Sequence, residues 1–189
     1  MKHLFLACAA GALALAGCSA EDGASEPAGT ASDSSTLATV IGQADGISTV
    51  ASTLSDSGLS GVFDGAASYT VLAPNDAAFE AAVPEGTSLT GADGRPLAVA
   101  VVRQHIVPGY LSPDDIRKAI ENADGGSVTM ASYGGEDLTF TMDGETIMVA
   151  GPGGKSARLD GSASTASNGV VIPIDGVLVD IPAATTAAE

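Results

Sequence analysis

The hydrophobic period of this chain changes partway along, and that change limits the folds open to it. Leu37, Val40, Ile41 and Ala44 fall at helical spacing, and Ile47, Val50, Ala51 and Leu54 repeat it, with Gly58 placed to end the second segment. Two short amphipathic helices are predicted there. Leu97, Val101 and Val102, with Ile106 beyond, set an apolar face on a third helix entered at Pro96. Ser112-Pro113-Asp114-Asp115 opens a fourth with a cap, a proline at the first position and acids in the first turn; Ile116, Ala119, Ile120 and Ala123 form its stripe. Further on the pattern alternates. Leu138, Phe140 and Met142 alternate with Thr139 and Thr141, Asp143-Gly144 supplies a two-residue turn, and Glu145 to Val149 returns as the second arm of a hairpin. Val170 to Ile174 and Val177 to Val179 read as further strands broken at Asp175-Gly176. Helices first and sheet later give the α+β class.

The two cysteines decide what can hold such a core. Met1 and Lys2, an apolar run from Leu4 to Leu15 and then Ala16-Gly17-Cys18 form the layout of a signal peptide. The run is shorter than the roughly 20 residues that a membrane-spanning helix needs. Leu15-Ala16-Gly17-Cys18 resembles the bacterial lipobox, which implies that residues 1–17 are removed and that Cys18 becomes a lipidated N-terminus. Two or more acyl chains anchor stably where one binds only marginally. Cys8 leaves with the leader, so the processed chain has no free thiol, disulfide or cysteine metal site, and its fold must hold by packing alone.

Residues 18–35, rich in Ser, Ala, Gly and acid, read as a flexible acidic tether. Its ends would sit about 20–25 Å apart. Residues 36–182 suit one domain, and 183–189 read as a loose tail. The core must come from Val, Ile, Leu and Ala, since the chain has no Trp. Ser19 directly after Cys18 resembles the sorting signal for the outer membrane in some Gram-negative bacteria, so the expected location is the cell envelope, on a periplasmic or surface-exposed face.

The chain holds 7 Lys and Arg against 23 Asp and Glu. Nucleic-acid binding draws its affinity from basic side chains on phosphates, so that class is excluded, and docking by charge on anionic lipid is disfavoured. Ala150-Gly-Pro-Gly-Gly-Lys-Ser156 fails as a nucleotide-binding loop, because Val149 stands where the first glycine is required and no helical stripe follows. His105 is the one histidine left after processing, which excludes a multi-histidine metal site; no G-x-S-x-G elbow occurs and no serine partner for His105 is evident. No catalytic residue, cofactor or metal is expected. No carboxylate run has the spacing of a calcium loop, and the surface acids read as a solvated, self-repelling face, with calcium on them left open.

Tyr69-Thr-Val-Leu-Ala-Pro-Asn-Asp-Ala-Ala-Phe79 and Asn168-Gly-Val-Val-Ile-Pro-Ile-Asp-Gly-Val-Leu178 resemble the first and second motifs of fasciclin (FAS1) domains. Between them, Val102-Arg-Gln-His-Ile-Val-Pro-Gly109 resembles the helix-to-strand segment that usually carries Tyr-His before Val-Pro-Gly. The resemblance covers residues 36–182 and implies a wedge of strands packed with short helices, used outside the cell for contact between cells or with matrix. Three departures stand out. Asn75 stands where the family more often has Thr, Gln104 replaces the usual Tyr, and Ile172-Pro173 occupies a place that often holds His, which weakens an adhesive role resting on Tyr-His.

Read physically, Tyr69 to Leu72, with Thr70 inside it, is a strand, Pro74 stops it, and Asn75 caps a helix that starts at Asp76 and buries Phe79. Asp175-Gly176 is a turn between core strands, and Pro173 implies an edge or an interruption. His105 suits a hydrogen-bonded position where a helix end joins a strand. The expected function is a noncatalytic, surface-anchored binding or adhesion module, attached to membrane by lipid on Cys18, with a surface protein or glycan as partner and neither nucleic acid nor nucleotide. The alternative is a carrier of a small apolar ligand such as a carotenoid, since some proteins similar to this family bind them.

Overall fold

The computed structural model describes residues 35–183 apart from Ser57, Gly86, Ser88 and Thr90. The expectations for the leader, Cys18, the tether up to residue 34 and the tail from residue 184 lie outside the described residues. The helices are α1 (Leu37–Gln43), α2 (Ser48–Asp56), α3 (Asp76–Ala82), α4 (Gly91–Gln104) and α5 (Pro113–Asn122). The strands are β1 (Tyr69–Pro74), β2 (Ile106–Pro108), β3 (Ser127–Ala131), β4 (Asp137–Asp143), β5 (Thr146–Ala150), β6 (Ser156–Arg158), β7 (Ser164–Ala166) and β8 (Gly169–Ile174). The class is α+β.

The strands form two sheets, ordered β2-β1-β8-β7 and β3-β4-β5-β6. In the first, β1 and β8 run parallel from Tyr69 opposite Gly169 to Pro74 opposite Ile174. The two family-like segments therefore lie side by side. Both strands are near-continuous apolar runs, the pattern of strands covered on both faces. Val71, Ala73 and Val171 pack into a core with Leu37, Ile41, Val50, Leu54 and Val101 of the helices. Leu72, Val170, Ile172 and Ile174 face the other way, into a second core with Leu138, Phe140, Ile147 and Val149 of the second sheet and Ile116 and Ile120 of α5. Helices cover one face of the first sheet, and the second sheet with α5 covers the other.

Local chemistry fixes the element ends. The Ser112 hydroxyl accepts the Asp115 N–H at 3.2 Å while the Asp115 carboxylate takes the Ser112 N–H at 3.1 Å, closing a reciprocal cap with Pro113 at the first helical position. Gly58, at φ +75°, ends α2 in a left-handed conformation that only glycine adopts without strain. The Ser35 carbonyl accepts the Ser167 N–H at 2.9 Å, so the last residue assigned to the tether already rests on the domain.

Four boundaries differ from expectation. The third helix begins at Gly91, and Pro96 lies inside it. Proline removes the hydrogen bond to the carbonyl four residues earlier, here that of exposed Ala92 near the helix start, where water can replace the bond. In the hairpin Asp143 pairs with Thr146, which shifts the turn to Gly144-Glu145 and places Gly144 at φ +60°. Pro74 does not stop β1 but ends it as a paired residue opposite Ile174. Val177 to Val179 is not a strand. Val177 and Leu178 are buried, but the Leu178 N–H is taken by the His105 ring at 3.0 Å instead of a neighbouring strand.

Pro173 sits beyond the end of β7, whose pairing with β8 stops at Val171 opposite Ser164. There the neighbour is exposed Asp160, whose N–H donates to the Pro173 carbonyl at 2.8 Å, so water can replace the bond that the missing N–H would make.

Gly169 begins the parallel pair where there is no room for a side chain: a β-carbon there would collide with the Tyr69 carbonyl oxygen and lie 2.8 Å from a Leu37 methyl. Gly169→Ala should cost about 1–3 kcal/mol by forced overpacking, measured as a lower urea midpoint at unchanged slope.

Candidate functional site

The residues singled out in the sequence gather around the β1–β8 pair and the corners where it ends. Thr70, 1% exposed, uses its hydroxyl twice: it donates to the Gly109 carbonyl at 2.8 Å and accepts the Leu111 N–H at 2.9 Å. One side chain thus holds the chain between β2 and α5. Pro74 is buried at the strand end. The Asn75 side chain accepts the Ala78 N–H at 2.8 Å, capping α3, and its amide reaches the Asp160 carboxylate at 3.3 Å. The Asn75 N–H donates to the Ile174 carbonyl at 2.9 Å, extending the parallel ladder by one bond.

Asp76 caps a different helix from the one it begins. Its carboxylate accepts the Thr49 N–H at 2.8 Å, the Ser48 N–H at 3.2 Å and the Ser48 hydroxyl at 2.9 Å, all at the start of α2. The Thr49 backbone bond chiefly holds its carboxyl below the usual range, against a smaller upward push from burial. Phe79, 3% exposed, fills the helical core one turn on. At the second motif, the Asp175 carboxylate accepts the Arg158 N–H and the Arg158 Nε, each at 2.7 Å. Burial pushes this carboxyl upward, but the bonds from Arg158 outweigh it and leave it below the usual range. Gly176 provides clearance, since a β-carbon there would meet the Ala157 methyl at 3.2 Å.

His105, 3% exposed, follows α4 and precedes β2. Its Nδ1 lies 2.8 Å from the Val101 carbonyl and its Nε2 accepts the Leu178 N–H at 3.0 Å. An acceptor Nε2 requires the proton on Nδ1, the tautomer that bonds to Val101. With both nitrogens engaged and the ring sealed, His105 can neither activate a serine nor reach a ligand. Burial pushes its pKa down to about 4, against a smaller upward pull from the Val101 carbonyl.

Asn168 matters as much and was not singled out in the sequence. Only 8% exposed, it accepts the Leu37 N–H at 2.7 Å and donates to the Phe63 carbonyl at 2.6 Å and the Gly65 carbonyl at 2.9 Å. It thereby ties α1 and the turn after Val62 to the start of β8. The one available signal was an amide residue directly before the motif's glycine. Gln104, in place of the usual Tyr, accepts the Ser132 hydroxyl at 2.7 Å and so anchors the β3–β4 turn.

Among the described residues no three His, Cys, Asp or Glu side chains converge to hold a metal, and no helix is long and apolar enough to cross a membrane. The Gly151–Lys155 segment makes one 3-10 turn, Pro152–Gly154, and runs into β6, with no α-helix to receive a phosphate. A groove of about 410 Å³ opens beside α3, lined by Ser48, Thr49, Asp76, Phe79, Glu80, Val83 and Leu89. The Asp76 carboxylate forms part of its rim.

The sealed histidine has a pH signature. The unfolded chain takes up this proton near pH 6.5 and the folded one only near 4, so the contribution of His105 to stability is complete above 6.5 and is lost as pH falls toward 4. The loss should reach about 3 kcal/mol, read from urea midpoints across that window. A His105→Leu variant should be less stable at pH 7, because the buried Leu178 N–H loses its partner, and its stability should lack this pH-dependent component.

Several comparisons bear on this arrangement. No curated protein matches the chain. Among solved structures, the FAS1 domain pair from the insect cell adhesion molecule fasciclin I is similar, at a TM-score of 0.58 and 23% identity over 75% of this chain and 47% of that one. The chain thus spans about half the length of that protein, and the likeness is one of fold. The model of the fasciclin domain matches residues 45–180, from the loop before α2 to the segment beyond β8. With both motifs inside that span and paired strand to strand, the chain belongs to the fasciclin domain family.

Proposed function

We propose that the chain is a noncatalytic binding or adhesion module held at the cell envelope by lipid on Cys18. What supports this reading is a fasciclin domain preceded by a segment, Leu15-Ala16-Gly17-Cys18, that resembles the lipobox of a lipoprotein leader. Fasciclin domains are known as cell-adhesion modules. The internal engagement of Thr70, Asn75, Asp76, His105 and Asp175 supports a scaffold whose contacts are made by surface outside the motifs. The tether of residues 18–35 would let the domain stand off an outer membrane and meet a protein or glycan on another surface. Carriage of an apolar ligand such as a carotenoid draws less support: Phe63, Phe79 and Phe140 are at most 3% exposed, which leaves little phenylalanine surface to line a polyene.

Deleting the gene should lower adherence of the host cells, and the intact gene should restore it while a Cys18→Ser version should not. Unchanged adherence after deletion would sink the reading, and full restoration by the Cys18→Ser version would remove the anchor from it.

A further inference from the structure

Asn168 is followed by Gly169, and the fold requires both residues where they stand. The Asn168 amide accepts the Leu37 N–H and donates to the Phe63 and Gly65 carbonyls, a set that needs an acceptor and two donors on one short side chain. Gly169 follows because a β-carbon there would collide with the Tyr69 carbonyl oxygen. Asparagine is a thermolabile residue, and ahead of glycine it is least protected. With no side chain to shield it, a glycine nitrogen can attack the side-chain carbon of the asparagine before it. The chain's other asparagines, Asn75 and Asn122, precede Asp76 and Ala123, whose β-carbons hinder that approach.

The folded chain leaves the reacting atoms no freedom to meet. Asn168 is 8% exposed and Gly169 is buried. Three hydrogen bonds fix the side chain, and the Asn168 carbonyl accepts the Tyr69 N–H at 3.1 Å, which fixes the peptide plane that would have to turn. Gly169 is in register with Tyr69 of β1 on one side and Ala166 of β7 on the other. Unfolding releases every one of these restraints.

We propose that Asn168-Gly169 is a deamidation site that the fold keeps closed and unfolding opens, and that the product cannot regain the native structure. The Gly169 nitrogen gives its proton to solvent and bonds to Asn168 Cγ; the Cγ–Nδ2 bond breaks, and the amide nitrogen takes a proton from water and leaves as ammonia. Water then opens the cyclic imide at either carbonyl, which yields aspartate or isoaspartate. Neither product fits the site. Aspartate sets a carboxylate, with no N–H to donate, against the Phe63 and Gly65 carbonyls in a buried position. Isoaspartate adds a methylene to the backbone directly before the Tyr69–Gly169 pair and so displaces the register of β8. Time spent unfolded therefore turns a reversible loss of structure into a permanent one, and does so faster at higher pH, where the attacking nitrogen is more readily deprotonated.

The test uses the processed chain with Cys18→Ser, so that no detergent is needed, incubated at mildly alkaline pH with and without denaturing urea and mapped by mass spectrometry of its peptides for aspartate and isoaspartate. Modification at position 168 should accumulate at least about tenfold faster in urea than in the folded chain, and in urea faster than at Asn75 or Asn122. Once the urea is removed, molecules that regain the folded state should carry intact Asn168, and the modification should concentrate in those that do not. An Asn168→Asp variant, which is one of the two products made directly, should show a lower urea midpoint or fail to fold. Equal rates with and without urea, or a refolded pool as modified as the rest, would overturn the proposal, as would an Asn168→Asp variant with an unchanged midpoint.

Discussion

The parallel pairing of β1 with β8 is the constraint on which the rest of this structure depends. It joins residues about a hundred positions apart, from Tyr69 opposite Gly169 to Pro74 opposite Ile174, so chain closure opposes it and burial must favour it. Burial comes from both sides. Val71, Ala73 and Val171 give the helices a floor, and Leu72, Val170, Ile172 and Ile174 give the second sheet and α5 theirs. Without the pair, neither set of apolar faces has a surface to cover.

Polar side chains secure this arrangement in place of disulfides. Asn168 gathers α1, the turn after Val62 and β8 through three hydrogen bonds, and His105 joins the end of α4 to the segment beyond β8 through two. No buried side-chain nitrogen or oxygen among the described residues lacks a partner, which is the condition under which buried polar groups specify a fold instead of weakening it. Charge is kept at the surface. The few ion pairs there, Lys155 with Asp180 and Arg158 with Asp175, leave most carboxylates facing solvent.

What the residues alone reveal follows the range of the physics involved. The capped start of α5, the Asn75 corner and the hairpin from Asp137 to Ala150 are legible because caps, turns and alternation act within a few residues. The three-residue strands β6 and β7 are too short to show a period, and β3 alternates over only five residues, Ser127–Ala131. Val177 to Val179 looks like a strand locally because it is apolar, but a ring nitrogen 73 residues earlier in sequence takes the N–H that a strand would use. Asp76 likewise reads as a first-turn acid of its own helix, and only the folded chain shows its carboxylate capping α2. The family resemblance reached further than local patterns, since it grouped two distant segments that prove to be neighbours. It did not say which surface meets a partner.

The functional picture follows from that division of labour. Residues conspicuous in the sequence build the scaffold, and the surface left for contact is acidic. The central claim is that the two motifs form the buried centre of the fold, and amide hydrogen exchange resolved by residue tests it most directly. The N–H groups of Leu72, bonded to the His105 carbonyl, and of Asn75, bonded to the Ile174 carbonyl, should exchange only through global unfolding, along with the amides of β8 that face β1. Exchange of these amides faster than those of α1 or of the β3 edge would contradict the account.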